Sequence, residues 1–189
     1  MEKVKMGPQT LVYPTPALLV GANVEGKANF MTVAWAGVAC SEPPMVSVAI
    51  RHVRYTLRGM NENGTFSVNV PSTHQAKEVD YCGIVSGAKV DKVKVCGFKV
   101  FYGKLETAPM VHQCPVNLEC KIEHTLDLGS HILVVGKIEE VYVSGNCFSG
   151  QHPDAKKIMP LIWTMLPDNV YQGLGEEVGK AFKIGLELK

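Results

Sequence analysis

The chain has 189 residues, 46% of them hydrophobic and 20% charged, which is enough apolar content for one sizeable core and, by length, for a single domain over residues 1–189. Nineteen Lys and Arg against eighteen Asp and Glu leave a net charge of +1, so no global field attracts nucleic acid or an anionic membrane, and any anion site must be local. Pro8, Pro14 and Pro16 interrupt the apolar stretches at the start and no later run reaches membrane length, so the chain reads as cytoplasmic, with neither membrane nor nucleic acid as partner.

Strands separated by turn signals dominate the pattern. The β-rich runs "ALLVGANV" and "NFMTVAWAGVAC" are joined through "EGKA" as a hairpin, and "PMVSVAI" follows "SEPP" as a third strand. "YTLRGMNENG" has helical spacing, with Leu57 and Met60 three apart and Gly64 just past its end. "TFSVNV" alternates, placing Phe66, Val68 and Val70 on one face and Ser67 and Asn69 on the other. Ser72 and Gln75 have the spacing of a capping box for a short helix, and the Gly- and Lys-rich "IVSGAKVDKVKVCG" reads as a loop or broken helix. "FKVFYGKLE", "CPVNLECKIEHTLDL" and "SHILVVGKIEEVYVSG" read as strands, the last two paired as a hairpin about "LDLG". The tail from Leu174 carries no clear pattern, and the role of the segment after about Gly145 is open. Together these elements imply a mainly β fold with short helices, an antiparallel barrel that is either closed or split.

Three stretches carry chemistry. "RHVRYT", at residues 51 to 56, ends a buried strand where a helix begins; Arg51, Arg54 and the Thr56 hydroxyl, with the helix N-terminus near Tyr55, make a compact anion cradle. Ordinary surface ion pairs with Thr56 as a cap are the alternative. "NFMTVAW", residues 29 to 35, is either a core strand or a strand whose amides face a planar ligand beside Trp35. His131 opens a strand beside a turn, where an imidazole can meet a ligand, and Lys92 is either a mobile cation or a solvated charge. "GLGEEVG", residues 173 to 179, lacks the Rossmann spacing and follows no strand, and there is no Walker sequence. Six cysteines form no CxxC pair, and Cys114, Cys120 and His124 lack zinc-knuckle spacing; reduced, mostly buried thiols and no metal are expected. Neither Ser-His-Asp nor Cys-His context is present, so no protein nucleophile is expected.

The segments "YPTPALLVG", "NFMTVAWAG", "PPMVSVAIRHVRYTLRGMNENGTFSVNVPS", "VDYCGIVSGAKVDK" and "GSHILVVGKI", in this order from about Tyr13 to Gly145, resemble the flavin reductase-like family, and within it the flavoredoxin branch. The resemblance implies an FMN-binding split β-barrel and a homodimer that keeps its flavin and passes electrons between redox partners. Its alternatives are an NAD(P)H-dependent flavin or ferric-complex reductase and, from another class, a non-catalytic flavin-binding sensor or store. It further implies that Asn29, Met31, Thr32, Val33, Ala34 and Trp35 lie along the isoalloxazine, that Arg51, Tyr55, Thr56 and Lys92 take the phosphate, and that His131 approaches the flavin. Many nicotinamide-using members have "GDH" where this chain has "GSH", so Ser130 favours an electron carrier over a reductase fed by NAD(P)H.

Overall fold

The computed structural model describes residues 1–188. Its strands, in chain order, are β1 (Thr15–Pro16), β2 (Leu18–Val24), β3 (Lys27–Val33), β4 (Ala36–Ser41), β5 (Pro44–Arg51), β6 (Thr65–Val70), β7 (Val100–Phe101), β8 (Met110–Val111), β9 (Val116–Asp127), β10 (His131–Val143), β11 (Phe148–Ser149), β12 (His152–Pro153), β13 (Ile162–Thr164) and β14 (Val170–Gln172). The helices are α1 (Tyr55–Asn63), α2 (Ala76–Ile84), α3 (Lys92–Val95) and α4 (Ala155–Ile158), with short 3-10 turns at Thr73–Gln75, Gly145–Cys147 and Ile184–Leu188.

Seven strands form one antiparallel sheet in the order β3-β2-β6-β9-β10-β5-β4. The two edges are consecutive in sequence: β3 and β4 lie at opposite ends of the sheet, and only Ala34 and Trp35 separate them. The run expected as one β-rich segment therefore breaks there, because its halves pair with different neighbours, β3 with β2 and β4 with β5. Trp35 carries the chain across the split, its carbonyl accepting from the Ala49 N–H of β5 at 2.8 Å.

The sheet is apolar on both sides where it matters. Leu18, Val20 and Ala22 of β2 join Met31, Val33, Val48, Ile50, Phe66 and Val134 in the barrel interior. Leu19 and Phe30, one residue out of phase, pack outward on Val79 and Cys82 of α2 and on Phe98, Val111 and Leu161. The second apolar face of β3 is thus covered within the protomer. β6 forms as expected, and its polar face is buried as well: Asn69 Nδ2 donates to Leu19 O at 2.9 Å, and Asn69 Oδ1 accepts from Val111 N–H at 2.8 Å.

α1 starts where β5 ends and stops at Gly64, whose φ of +65° and N–H bond to Met60 O at 2.9 Å close the helix in the left-handed conformation. The Ser72 N–H donates to Gln75 Oε1 at 3.0 Å, so the capping pair forms, although the first turn it caps is 3-10. "FKVFYGKLE" yields only the two-residue β7; beyond it the Lys104 and Leu105 N–H groups turn onto the buried Glu119 carboxylate at 3.1 and 2.5 Å instead of a neighbouring strand. A small separate sheet, β1-β13-β14, stands against the mouth of the split.

Candidate functional site

The split opens into a cavity of about 340 Å3 walled by Met31, Thr32, Val33, Ala34 and Trp35 on one side and by Arg51 and His131 on another. β5 and β10 bring the last two together, since Arg51 and His131 are cross-strand partners at the strand ends. The His131 ring stacks on Trp35 with centroids 4.5 Å apart and 34° between planes. Its Nδ1 meets the Ser130 hydroxyl at 2.8 Å, which fixes the ring orientation without adding a charge. Burial, then the neighbouring Arg51 and Arg54 cations, hold His131 below the usual histidine value of 6.5, so its neutral form prevails at pH 7.

Thr32 donates its hydroxyl proton to Val79 O of α2, so its side chain offers lone pairs to a ligand and no proton. β3 is a sheet edge, and residues two apart on it turn their amides to the same side. Phe30 O on that edge already accepts from Lys92. By that spacing the Thr32 amide turns to the same edge, and Thr32 lines the cavity.

Met31, Arg51 and Arg54 also line a second cavity of about 250 Å3, which Tyr55, Thr56, Ser86, Gly87 and Lys92 complete. The cavity brings together Arg51, Arg54, Tyr55 and Thr56 of "RHVRYT", where an anion cradle is expected, and adds Lys92 to them. Lys92 is neither mobile nor solvated; it is buried, with Nζ donating to Phe30 O and Cys82 O, both at 2.8 Å. Three N–H bonds on an ammonium leave one donor beyond these two. The alternative of surface ion pairs is overturned: neither Arg51 nor Arg54 meets a carboxylate among the described residues, and Arg54 Nη1 donates to Gly83 O at 2.7 Å. Nor is Thr56 the cap, since Arg54 holds that position; Thr56 sits in the first turn, buried, and accepts from Asn29 Nδ2 at 2.6 Å. Asn29 therefore reaches the cradle through Thr56, outside the ring cavity.

The electrostatics are those of clustered cations. Burial and the adjacent Arg51 disfavour charge on Arg54, and burial followed by Arg54 depresses Lys92. Like charges held together with no counter-charge are stabilised by an incoming anion. The thiols are otherwise disposed: burial pushes Cys82 up to about 12 and raises Cys96, whose sulfurs lie 4.0 Å apart behind the cradle.

Several lining residues carried no legible signal. Trp163 and Tyr171, on β13 and β14, and Asn169 form the far wall of the ring cavity, while Asp80 and Gly83 come from α2. Strands of three residues are too short for a period of two to register; β14 is tied to α2 by packing of Tyr171 on the cluster that includes Val79 and Cys82 and by Tyr171 Oη donating to Asp80 Oδ1 at 3.2 Å.

Residues 10–164 match the flavin reductase like domain, and the chain belongs to the flavin reductase-like family. It is 35% identical over 143 residues to an uncharacterized protein of Archaeoglobus fulgidus, covering 76% of this chain and 80% of that one. Among solved structures it is similar to the flavoredoxin from Methanosarcina acetivorans, with TM-score 0.94, 43% identity and 100% of both chains covered. The flavoredoxin of Desulfovibrio vulgaris (Miyazaki F) follows, with TM-score 0.90, 35% identity, and 97% of this chain and 100% of that one covered.

Proposed function

We propose that the protein binds one FMN per chain, retains it, and passes electrons between redox partners as a flavoredoxin-like carrier. One observation carries this reading: a cavity beside the Trp35–His131 stack adjoins a cradle of Arg51, Arg54 and Lys92 whose charges meet no carboxylate among the described residues. The residues fit the group. Met31, Val33 and Trp35 offer apolar surface to a ring system, the β3 edge offers amides to its polar rim, and Arg51, Thr56, Lys92 and the first α1 turn offer donors to a phosphate with nearly two negative charges. A bound flavin supplies reversible redox chemistry, and the protein orients it, excludes water and tunes its potential. Neutral His131, held by Ser130, adds no charge of its own to this wall of the cavity, so the positive charge there comes from Arg51. The similarity to two flavoredoxins supports the electron-carrier reading.

A homodimer in the cytoplasm completes the proposal. Val53, Leu126 and Leu128, exposed by 80, 57 and 58%, gather where the ends of β5, β9 and β10 meet next to the site, an apolar group that a second copy would cover. A light-scattering mass near 41 kDa, twice the 20.6 kDa of one chain, is expected at micromolar concentration, and a mass near 20.6 kDa overturns the dimer. Titration of the flavin-stripped protein with FMN tests the function: saturation at one FMN per chain is expected, and absence of binding refutes it.

A further inference from the structure

Cys82 Sγ, on α2, and Cys96 Sγ, at the C-terminal cap of α3, lie 4.0 Å apart, the one thiol–thiol contact among the described residues. The other four thiols are engaged elsewhere or isolated. Cys40 donates to Glu42 O at 3.3 Å, Cys147 donates to Lys157 O at 3.7 Å, Cys114 accepts from Gln75 Nε2 at 3.5 Å, and Cys120 sits in the barrel interior. Cys82 is fully buried and Cys96 only partly so, which gives a small oxidant access to the pair from the Cys96 side. We propose that Cys82 and Cys96 are a redox-sensitive pair, which a hydroperoxide converts to a disulfide that clamps the segment between them against the barrel.

The residues between the two thiols give the bond its consequence. They supply Ser86, Gly87 and Lys92 to the cradle. From Ser86 to Val90 the hydrogen bonds stay within the segment, Lys89 N–H to Ser86 O at 3.0 Å and Ala88 N–H to Ser86 Oγ at 3.3 Å. The segment is therefore tied down at its ends, by Arg54 Nη1 on Gly83 O at 2.7 Å and by Lys92 Nζ on Phe30 O and Cys82 O, both at 2.8 Å. So few anchors make it a place of local opening, and a Cys82–Cys96 bond adds a covalent tie across its base. Little movement is needed. The sulfurs close from 4.0 Å to about 2 Å, while Lys92 already docks α3 on the Cys82 carbonyl, so the bond fixes the present arrangement. With hydrogen peroxide as oxidant, one oxygen passes to the Cys96 sulfur, giving a sulfenic acid and a first water. The Cys82 sulfur then displaces the hydroxyl, which leaves with the Cys82 proton as a second water; two thiols have lost two electrons and one peroxide has gained them. A dithiol reverses the bond by exchange. Burial raises both thiols, Cys82 to about 12, so little thiolate exists at neutral pH and the pair stays reduced until such an oxidant arrives. The bond acts on the cradle segment and takes no part in electron transfer.

The test treats the reduced wild-type protein with hydrogen peroxide, removes the excess with catalase, and counts thiols in denaturant before mapping tryptic peptides without reduction. The protein is expected to lose two of its six thiols, with the peptides of Cys82 and Cys96 joined and dithiothreitol restoring both. No loss of thiols overturns the proposal, as does a bond from Cys82 to Cys114, a cross-link between chains, or conversion of Cys96 to a sulfinic acid with Cys82 still free. The clamp is read separately, as the rate of FMN release on dilution followed by flavin fluorescence. Release from the oxidised protein is expected to be at least about threefold slower than from the reduced protein, and Cys96→Ala should show no response to peroxide. Equal release rates from the two forms, or an equal response in Cys96→Ala, overturn the clamp. This second readout rests on the phosphate reading of the cradle. A Cys82–Cys96 bond that forms in a protein unable to bind FMN would leave the thiol pair established and strike that reading and the clamp's effect on FMN.

Discussion

Replacing Arg51 with alanine separates a phosphate site from ordinary surface charge. The side chain is exposed and makes neither ion pair nor side-chain hydrogen bond among the described residues, so folding stability should change by less than about 0.5 kcal/mol. A hydrogen bond to a charged partner contributes about 1.5–3 kcal/mol, and solvent screening at an exposed site favours the lower end. One lost donor therefore weakens FMN roughly tenfold. Riboflavin has the same ring without the phosphate and isolates this term. Wild type should prefer FMN strongly, and Arg51→Ala should erode that preference, the more so at low salt, while riboflavin affinity stays put. Thr56→Ala and Lys92→Met are poorer probes: the first strands Asn29 Nδ2 and the second strands Phe30 O and Cys82 O, each costing about 1–3 kcal/mol of stability. Titration of both flavins decides. Equal losses for FMN and riboflavin, or none for either, refute the phosphate assignment.

Four further outcomes are expected. Trp35→Ala and His131→Gln should shift the bound flavin's absorption or midpoint potential with the barrel still folded, and unchanged spectra and potentials in both would remove the pair from the ring site. The proton balance at His131 has a definite sign: its folded value lies below 6.5, so its contribution to stability is full above 6.5 and falls as pH drops below it, because the unfolded chain takes up the proton first; urea melts of His131→Gln should show that slope flattened. Lys92 lies below the usual 10.5, so FMN affinity should fall with rising pH before an exposed lysine would titrate while riboflavin affinity does not, and parallel pH profiles would exclude Lys92 from the phosphate. With Cys82 and Cys114 each pushed up to about 12 by burial, a folded, flavin-loaded variant without cysteines should keep electron transfer, and its complete loss would make the thiols part of the redox path.

Local signals in the sequence carried far where they were also the winning tertiary interactions. Gly64 closed α1 as its position implied, and the β9–β10 hairpin turned at "LDLG", with Leu128 N–H bonded to His131 O at 2.9 Å. That Arg51, Tyr55 and Thr56 would line one cavity was legible because they fall within six residues, at one strand-to-helix junction. Lys92 sits in a run of lysines and looks solvated; what buries it is the β3 edge carbonyl of Phe30, a partner 62 residues away that no local pattern encodes. The same holds for the wall formed by Trp163 and Tyr171, where three-residue strands join the site only through tertiary packing. The alternation of β6 does not say what covers its polar face, where the Asn69 amide is consumed by Leu19 O and Val111 N–H inside the protein.

The account stands most directly on the anaerobic spectrum of the FMN-loaded protein after addition of one electron donor at a time. Bleaching of the flavin by a reduced low-potential electron-carrier protein, with the spectrum unchanged over the same interval in NADH or NADPH, is the result expected of a carrier whose neutral His131 is fixed by Ser130. Rapid stoichiometric bleaching by NADH or NADPH would contradict it and make the protein a nicotinamide-dependent reductase.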